Sequence, residues 1–401
     1  MLEAISTTLF ALAAIGLAAL LVQHGALRSH LRRPGAPVRG DSLDPGPARP
    51  APPISILKPL CGDDDDLAAN LAAFAALDYP AYEVLLGVKS ARDPAFAPAL
   101  AAVRRWPGRM RLVLQRFDEG LNPKVNQLVG LARAARHDLL LISDSNVRVG
   151  AGYLRGVGEA MSAPGVGLVT HPVVGAGERR LGALLENLHL AGAVGPGMVA
   201  AQRLSGRAVV VGKSMALWRA DVERLGGFES MKDVLAEDHL LGVRVADELG
   251  KRVVVARAPV VNVNQDRSVR AFHGRYARWS VLQRKLVGTP VFAAQALLNP
   301  VLLAALGALA ERDARAGALL AAVCAAKCAL DGASARLLRP GGFRLRALLL
   351  VPLKDLVLGA AWAQGLVSDQ VDWRGHRLRV LPGTRLAAVE GEGEEALGAE
   401  A

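Results

Sequence analysis

A chain of 401 residues has room for one large domain or two modest ones. Hydrophobic residues make up 52% and mean hydropathy is +0.27, values that exclude an ordinary soluble protein and fall short of a polytopic transporter, so a globular domain with several membrane segments is expected. The net charge of +11 asks for an anionic partner; aromatics at 4% and the lack of any nucleic-acid motif exclude base-stacking platforms, which leaves a membrane surface or an anionic substrate.

Leu2 to about Val22 is an apolar run in which only Glu3 is charged. A bilayer span takes ~20 residues, and the run has neither a positive start nor a small-residue cleavage site, so it reads as a retained anchor. Arg28, Arg32, Arg33 and Arg39 follow and place the next domain in the cytosol by the positive-inside rule. Residues 1–24 are thus the anchor, and 25–53, rich in Arg, Pro and Gly, a linker.

Strand-helix alternation then begins. Ile54-Ser55-Ile56-Leu57 reads as a strand, Leu67 to Leu77 as a helix, Glu83 to Val88 as a strand and Pro94 to Trp106 as a helix. Arg111 to Leu114, Lys124 to Ala135 and Asp138 to Ser143 continue as strand, helix and fully buried strand. This pattern predicts an α/β fold with a parallel sheet covered by helices on both faces, whose ligands bind beyond the carboxyl ends of the strands. After Gly150 the alternation weakens, with strands expected in Val166 to Thr170, Val209 to Leu217 and Val253 to Ala256. The globular domain is set at 54–285. Three apolar segments follow, Val291 to Ala310, Ala314 to Leu330 and Leu345 to Val367, and make 286–370 a membrane-associated unit. Pro300, Pro352, Lys327, Lys354 and Asp355 interrupt them, so some are expected to be interfacial or re-entrant. Cys324 and Cys328, one turn apart, read as inert thiols. Residues 371–401 are assigned as a C-terminal tail, disordered from Glu390 onward.

Five motifs carry chemistry. Asp93, in Arg92-Asp93-Pro94, is either a helix start or a ligand to a uridine or a metal. Lys124, in Asn122-Pro123-Lys124, stands in the first turn of a helix, against the dipole; an anion bound to the helix amides would account for it, and so would solvation. Asp144-Ser145-Asn146 follows a buried strand and suits either a cap or a divalent cation on a nucleotide diphosphate. Glu237-Asp238, in a loop-like stretch, supplies the best base: inverting sugar transfer needs one carboxylate to take the acceptor hydroxyl's proton. Arg275, Arg278 and Trp279 stand just before the membrane segments, with forks for diphosphate and an indole suited to the headgroup level; a plain basic flank would look similar. The Asp63 to Asp66 run reads as helix capping.

In this order, together with Ile54 to Leu60, Leu77-Asp78-Tyr79-Pro80 and Tyr82 to Leu86, these motifs resemble the ceramide glucosyltransferase family, of the family-21 type, including bacterial relatives that glycosylate hopanoids. Arg275-x-x-Arg278-Trp279 matches the family's (Q/R)xxRW element, and the likeness resumes weakly at Asp372-Trp373-Arg374-Gly375. The resemblance implies a GT-A fold, Rossmann-like and nucleotide-sugar-binding, with an N-terminal transmembrane anchor, C-terminal membrane helices and a UDP-sugar donor. It implies Asp93 and Asp144 at the donor and metal, Asp238 as general base, and Arg275, Arg278 and Trp279 on diphosphate and acceptor. The expected activity is inverting transfer of glucose or a related sugar to a membrane lipid, ceramide first. N-acetylglucosamine transfer to a hopanoid polyol is the alternative, and a non-catalytic lipid-binding protein the rival of another class. The expected setting is a bacterial inner membrane with the catalytic domain on its cytoplasmic face. Lys89-Ser90-Ala91-Arg92 and Asn146, where a strict D-x-D ends in Asp, depart from the family pattern. The cofactor, Mg²⁺ or Mn²⁺, is therefore expected on one protein carboxylate, Asp144, with diphosphate and water.

Overall fold

The computed structural model describes residues 1–32, 51–62, 64–373 and 376–389. The linker from 33 to 50, Asp63, Arg374-Gly375 and the tail from Glu390 lie outside the described residues.

Thirteen strands build three sheets among the described residues. The first four, β1 (Ile54–Pro59), β2 (Tyr82–Val88), β3 (Met110–Leu114) and β4 (Leu139–Ser143), run parallel in the order β3-β2-β1-β4. Ile56 pairs with Val84 on one side and Leu141 on the other. Because side chains alternate along a strand, Ile54, Ile56, Val84, Leu139 and Leu141 join one core layer while Leu57, Leu85, Leu140 and Ile142 join the other. The Leu67–Ala75 and Phe96–Arg105 helices cover the first face; the Pro123–Ala134 helix covers the second with Val125, Leu128 and Leu131.

The following strands are β5 (Val147–Arg148), β6 (Val166–Thr170), β7 (Val173–Ala176), β8 (Ser214–Trp218), β9 (Arg252–Val255) and β10 (Val260–Val263). Strand β8 pairs antiparallel with β4 and β6, and β9 extends the sheet beside β6, giving seven strands with a mixed second half. β5, β10 and β7 form a small sheet at its end. The strand expected from Val209 starts only at Ser214, because Gly212 and Lys213 turn toward the carboxylates described below.

The membrane-directed part is helical. Leu2–Arg32 (31 residues, hydropathy 2.3) and Ala314–Leu338 (25 residues, hydropathy 1.5) are long and apolar enough to cross a bilayer. Thr289–Leu298 and Pro300–Glu311 meet at 82°, so the segment read as one run is a bent pair. Pro300 causes the break: it lacks an amide donor and pushes Asn299 out of the helical region, to φ −117 and ψ 71. The Asn299 side chain then caps the second helix through Leu302 N, 3.1 Å away, and donates to Asp355 O at 2.7 Å. Val351–Val367 packs on the Val269–Val287 helix, with Ala361 against Phe272 and Tyr276.

The segment from 371 that the sequence suggested was a tail is in part folded. β11 (Gln370–Trp373), β12 (His376–Val380) and β13 (Leu386–Ala388) form an antiparallel sheet whose Val371, Leu378 and Val380 bury against Leu235 and Val281.

Candidate functional site

The Pro123–Ala134 helix starts where its sequence says it should. Pro123 takes the first turn, and the Asn122 side chain accepts from Lys124 N at 2.9 Å and Val125 N at 3.1 Å. That cap aims the Lys124 side chain across the carboxyl ends of the strands. Its ammonium meets Asp144 Oδ1 at 3.1 Å, just past β4, and Glu237 Oε1 at 3.0 Å. It also approaches Gly212 O at 3.4 Å.

Glu237 and Asp238 lie in the first turn of the Glu237–Asp247 helix, not in a loop. Acids are favoured there by the helix dipole. Glu237 is fixed by Lys124 and by Asn122 Nδ2 at 3.3 Å. Asp238 accepts from two backbone amides, Gly212 N at 2.6 Å and His239 N at 2.7 Å. A Cβ at Gly212 would press on Lys124 Nζ and Asp238 Oδ2 and push the lysine ammonium from its place.

Lys213 is a site residue that the motif reading passed over. Its ammonium lies 2.9 Å from Asp144 Oδ2 and 2.7 Å from Asn146 Oδ1. The available signal was a cation set in the apolar run from Val209 to Leu217. Lys58, at the end of β1, is fully buried; it donates to Asp144 O at 2.8 Å and lies over the Phe74 ring at 3.8 Å.

Charge orders this cluster. Burial works against ionised Asp144, but Lys124 and Lys213 outweigh it and hold the carboxyl well below its usual range. Burial likewise opposes charge on Lys124, yet Asp144, Glu237 and Asp238 raise it far above an ordinary lysine. Burial lowers Lys213, and brings Lys58 down to about 7. Asp238 and Glu237 are both raised, chiefly by burial against the pull of Lys124. One carboxyl held below its usual range thus sits beside two held above theirs.

The remaining expected residues are placed differently from one another. Asp93 Oδ1 accepts from Gly62 N at 2.8 Å and Ala95 N at 2.9 Å, so this oxygen fastens the loop after β1 to the turn after β2. Arg275 is ion-paired with buried Glu186 at 3.3 Å, with Asp144 and Asp64 in its electrostatic surroundings. Glu186, which also pairs with Arg267 at 2.5 Å, was not singled out in the sequence. Arg278 donates to Asp372 O at 3.1 Å and, with Arg267, Arg270 and Arg275, lines a cavity of about 570 Å³. Trp279 is half-buried and packs against the domain core beside Tyr276. The inward face of its helix, Phe272 and Tyr276, carries it there.

Among the described residues of the acidic run, Asp64, Asp65 and Asp66, none caps the Leu67–Ala75 helix with its side chain. Asp66 is left-handed at φ 58, so its carboxylate turns away from the helix amides and pairs with Arg148 at 2.6 Å. Asp64 accepts from Ser145 Oγ, and Asp65 from Gln265 N at 2.6 Å. These three residues latch the β1 loop to the site.

Among the described residues no group of three or more His, Cys, Asp or Glu side chains could hold a metal ion. A divalent cation here would find one hard oxygen ligand from the protein, Asp144, ionised and 25% exposed, so the residues present would fit it only with further oxygen ligands from outside the protein.

The family model for glycosyl transferase family 21 matches residues 8–386. Ceramide glucosyltransferase 3 of Caenorhabditis elegans is 27% identical over 248 residues, 61% of this chain and 52% of that protein. The ceramide glucosyltransferase of Komagataella phaffii is 34% identical over 114 residues, 26% of this chain and 22% of that protein. The chain therefore spans about half the length of the nematode relative, and less of the yeast one. Among solved structures, the mannosyltransferase PcManGT of Pyrobaculum calidifontis, in complex with GDP-Man and Mn²⁺, aligns with a TM-score of 0.52 at 22% identity, covering 90% of this chain and 99% of that one. That likeness is one of fold, and the architecture is GT-A.

Proposed function

The chain belongs to glycosyl transferase family 21, and from that premise we propose that it transfers glucose or a related hexose from a UDP-sugar to the hydroxyl of a membrane lipid, ceramide first, with inversion. The observation that carries this reading is the juxtaposition of Asp238 with the Lys124–Asp144 pair at the carboxyl ends of the parallel strands. Family membership and relatives named ceramide glucosyltransferase support it.

Asp238 accepts the proton of the lipid hydroxyl as its oxygen attacks the anomeric carbon. The bond from that carbon to the diphosphate breaks, and UDP leaves with the electron pair. Lys124, with Arg275 and Arg278 from the next helix, supplies positive charge on the departing side. Asp93 orients the nucleotide, and Trp279 shapes the acceptor side. A divalent cation, Mg²⁺ or Mn²⁺, held by Asp144 with diphosphate oxygens, would neutralise charge on the leaving group.

Residues 54–285 form the catalytic domain in this reading. Residues 1–24 are the anchor and 286–370 present the lipid at the interface, so the acceptor need not leave the bilayer. Arg28 and Arg32, just after the apolar run, support a cytoplasmic face for that domain by the positive-inside rule, in a bacterial inner membrane.

Membranes containing the chain, incubated with a panel of UDP-sugars and analysed by lipid mass spectrometry, test this. Hexosylated ceramide is the expected product. An N-acetylhexosamine on a hopanoid polyol would change donor and acceptor but keep the reaction. No glycolipid with any donor, against an active control, would leave a non-catalytic lipid-binding protein.

A further inference from the structure

The arrangement around Asp144 bears on how donor and cation enter. Both carboxylate oxygens are taken, Oδ1 by Lys124 at 3.1 Å and Oδ2 by Lys213 at 2.9 Å. The two lysine side chains are only 18% and 11% exposed, so these are enclosed contacts and not surface pairs. The neighbouring acids are committed as well: Glu237 to Lys124 and Asn122, Asp238 to the amides of Gly212 and His239. Asn146, the departure from a D-x-D pattern, spends its side-chain oxygen on Lys213 at 2.7 Å. A divalent cation arriving alone would face two ammonium groups and a single protein ligand. A diphosphate changes both terms, because its oxygens accept from the ammonium groups and also complete a cation's coordination.

We propose that Lys124 and Lys213 hold the two carboxylate oxygens of Asp144 before the nucleotide arrives and pass to the diphosphate when it does, so that cation and diphosphate bind as a pair and the cation does not bind by itself. This rests on the reading of the Asp144 site as one for a nucleoside diphosphate. Lys213 thereby becomes a donor-binding residue, and the Gly212-Lys213 step touches both the base and the cation ligand.

Binding measurements on the full chain in detergent decide it. Mn²⁺ alone is followed by the electron paramagnetic resonance of the free ion, and UDP by calorimetry with and without Mn²⁺. In the unaltered chain, Mn²⁺ stays free without UDP, and each ligand strengthens the other by about tenfold or more. Lys213→Met should move the two affinities in opposite directions, weakening UDP by about tenfold and strengthening Mn²⁺ alone. A lysine with a merely structural role would weaken UDP on removal and leave Mn²⁺ alone unbound. Thermal unfolding checks that the variant is folded, and Lys213→Gln serves if it is not. Mn²⁺ binding equally well with and without UDP, or a folded variant that loses UDP affinity with no gain in binding of Mn²⁺ alone, overturns the proposal. Absence of UDP binding in every arm would instead remove the nucleotide reading beneath it.

Discussion

Asp238 and Glu237 are adjacent in sequence and separated in role by what each one touches. Burial raises both, but Glu237 is locked by an ammonium group, whereas Asp238 leans on backbone amides. A base must be ionised, so kcat/KM should rise with pH through a limb set above the ordinary carboxylate value of ~3.9. Asp238→Asn should abolish turnover and remove that limb while leaving UDP affinity nearly intact. UDP affinity lost with turnover retained would take Asp238 out of the base role. Arg278 poses a question of shape. A guanidinium forks onto phosphate oxygens as an ammonium cannot, so Arg278→Lys should cost on the order of 10- to 100-fold in rate, roughly 1.4–3 kcal/mol. Unchanged activity in a correctly inserted Lys variant would return Arg278 to the role of a basic flank.

At the scale of elements, the turn between β6 and β7 carries His171, buried under the site. Its Nδ1 lies 2.8 Å from Ser214 Oγ, which in turn lies 2.5 Å from the Tyr153 hydroxyl. Burial lowers the imidazole from 6.5 to about 4. The unfolded chain therefore takes up the proton first as pH falls, and stability present above ~6.5 drains away toward pH ~4, by about 3 kcal/mol for the full shift. Thermal unfolding between pH 7 and 5 should show a decline that His171→Gln flattens; an unchanged slope would place the acid sensitivity elsewhere. Other elements were legible for plain reasons. The alternation in Ile54 to Leu57 marks β1, and Asn122-Pro123 marks a helix start. The left-handed Asp66 was not legible, since four aspartates before a helix look the same whether they cap it or latch a loop.

For the whole molecule, the C-terminal elements are tied to the α/β domain and to one another. Leu386 N donates to Asp233 O at 2.7 Å and Leu235 N to Thr384 O at 2.8 Å, so the small sheet braces the segment leading into Glu237 and Asp238. Deeper among the apolar helices, Lys354 bridges Asp331 at 2.7 Å and Asp355 at 2.8 Å, and Lys327 meets Asp331 at 2.6 Å. Two cations and two anions close a neutral knot between the Ala314–Leu338 and Val351–Val367 helices. Removing one member strands a buried charge, so Asp331→Leu should cost about 3–5 kcal/mol in unfolding experiments in detergent. Asp331→Leu combined with Lys354→Met should recover most of that loss, because Lys327 and Asp355 remain as a pair. A double variant no better than the single one would show that the knot contributes more than charge balance.

The sequence by itself determined the parallel half of the sheet, the apolar N-terminal helix and the family motifs, because period, run length and residue type are local properties of a chain. It also put Lys124, Asp144 and Asp238 among the candidates by residue type and position. Only the tertiary structure decided what those groups do to one another. Lys213 holds Asp144 from a strand start 69 positions away by sequence number, Glu186 holds Arg275 from another helix, and the run after 370 folds because Leu235 and Val281 offer it an apolar face. Ion pairing and burial are set by distance in space, and spacing along the chain carries no record of them.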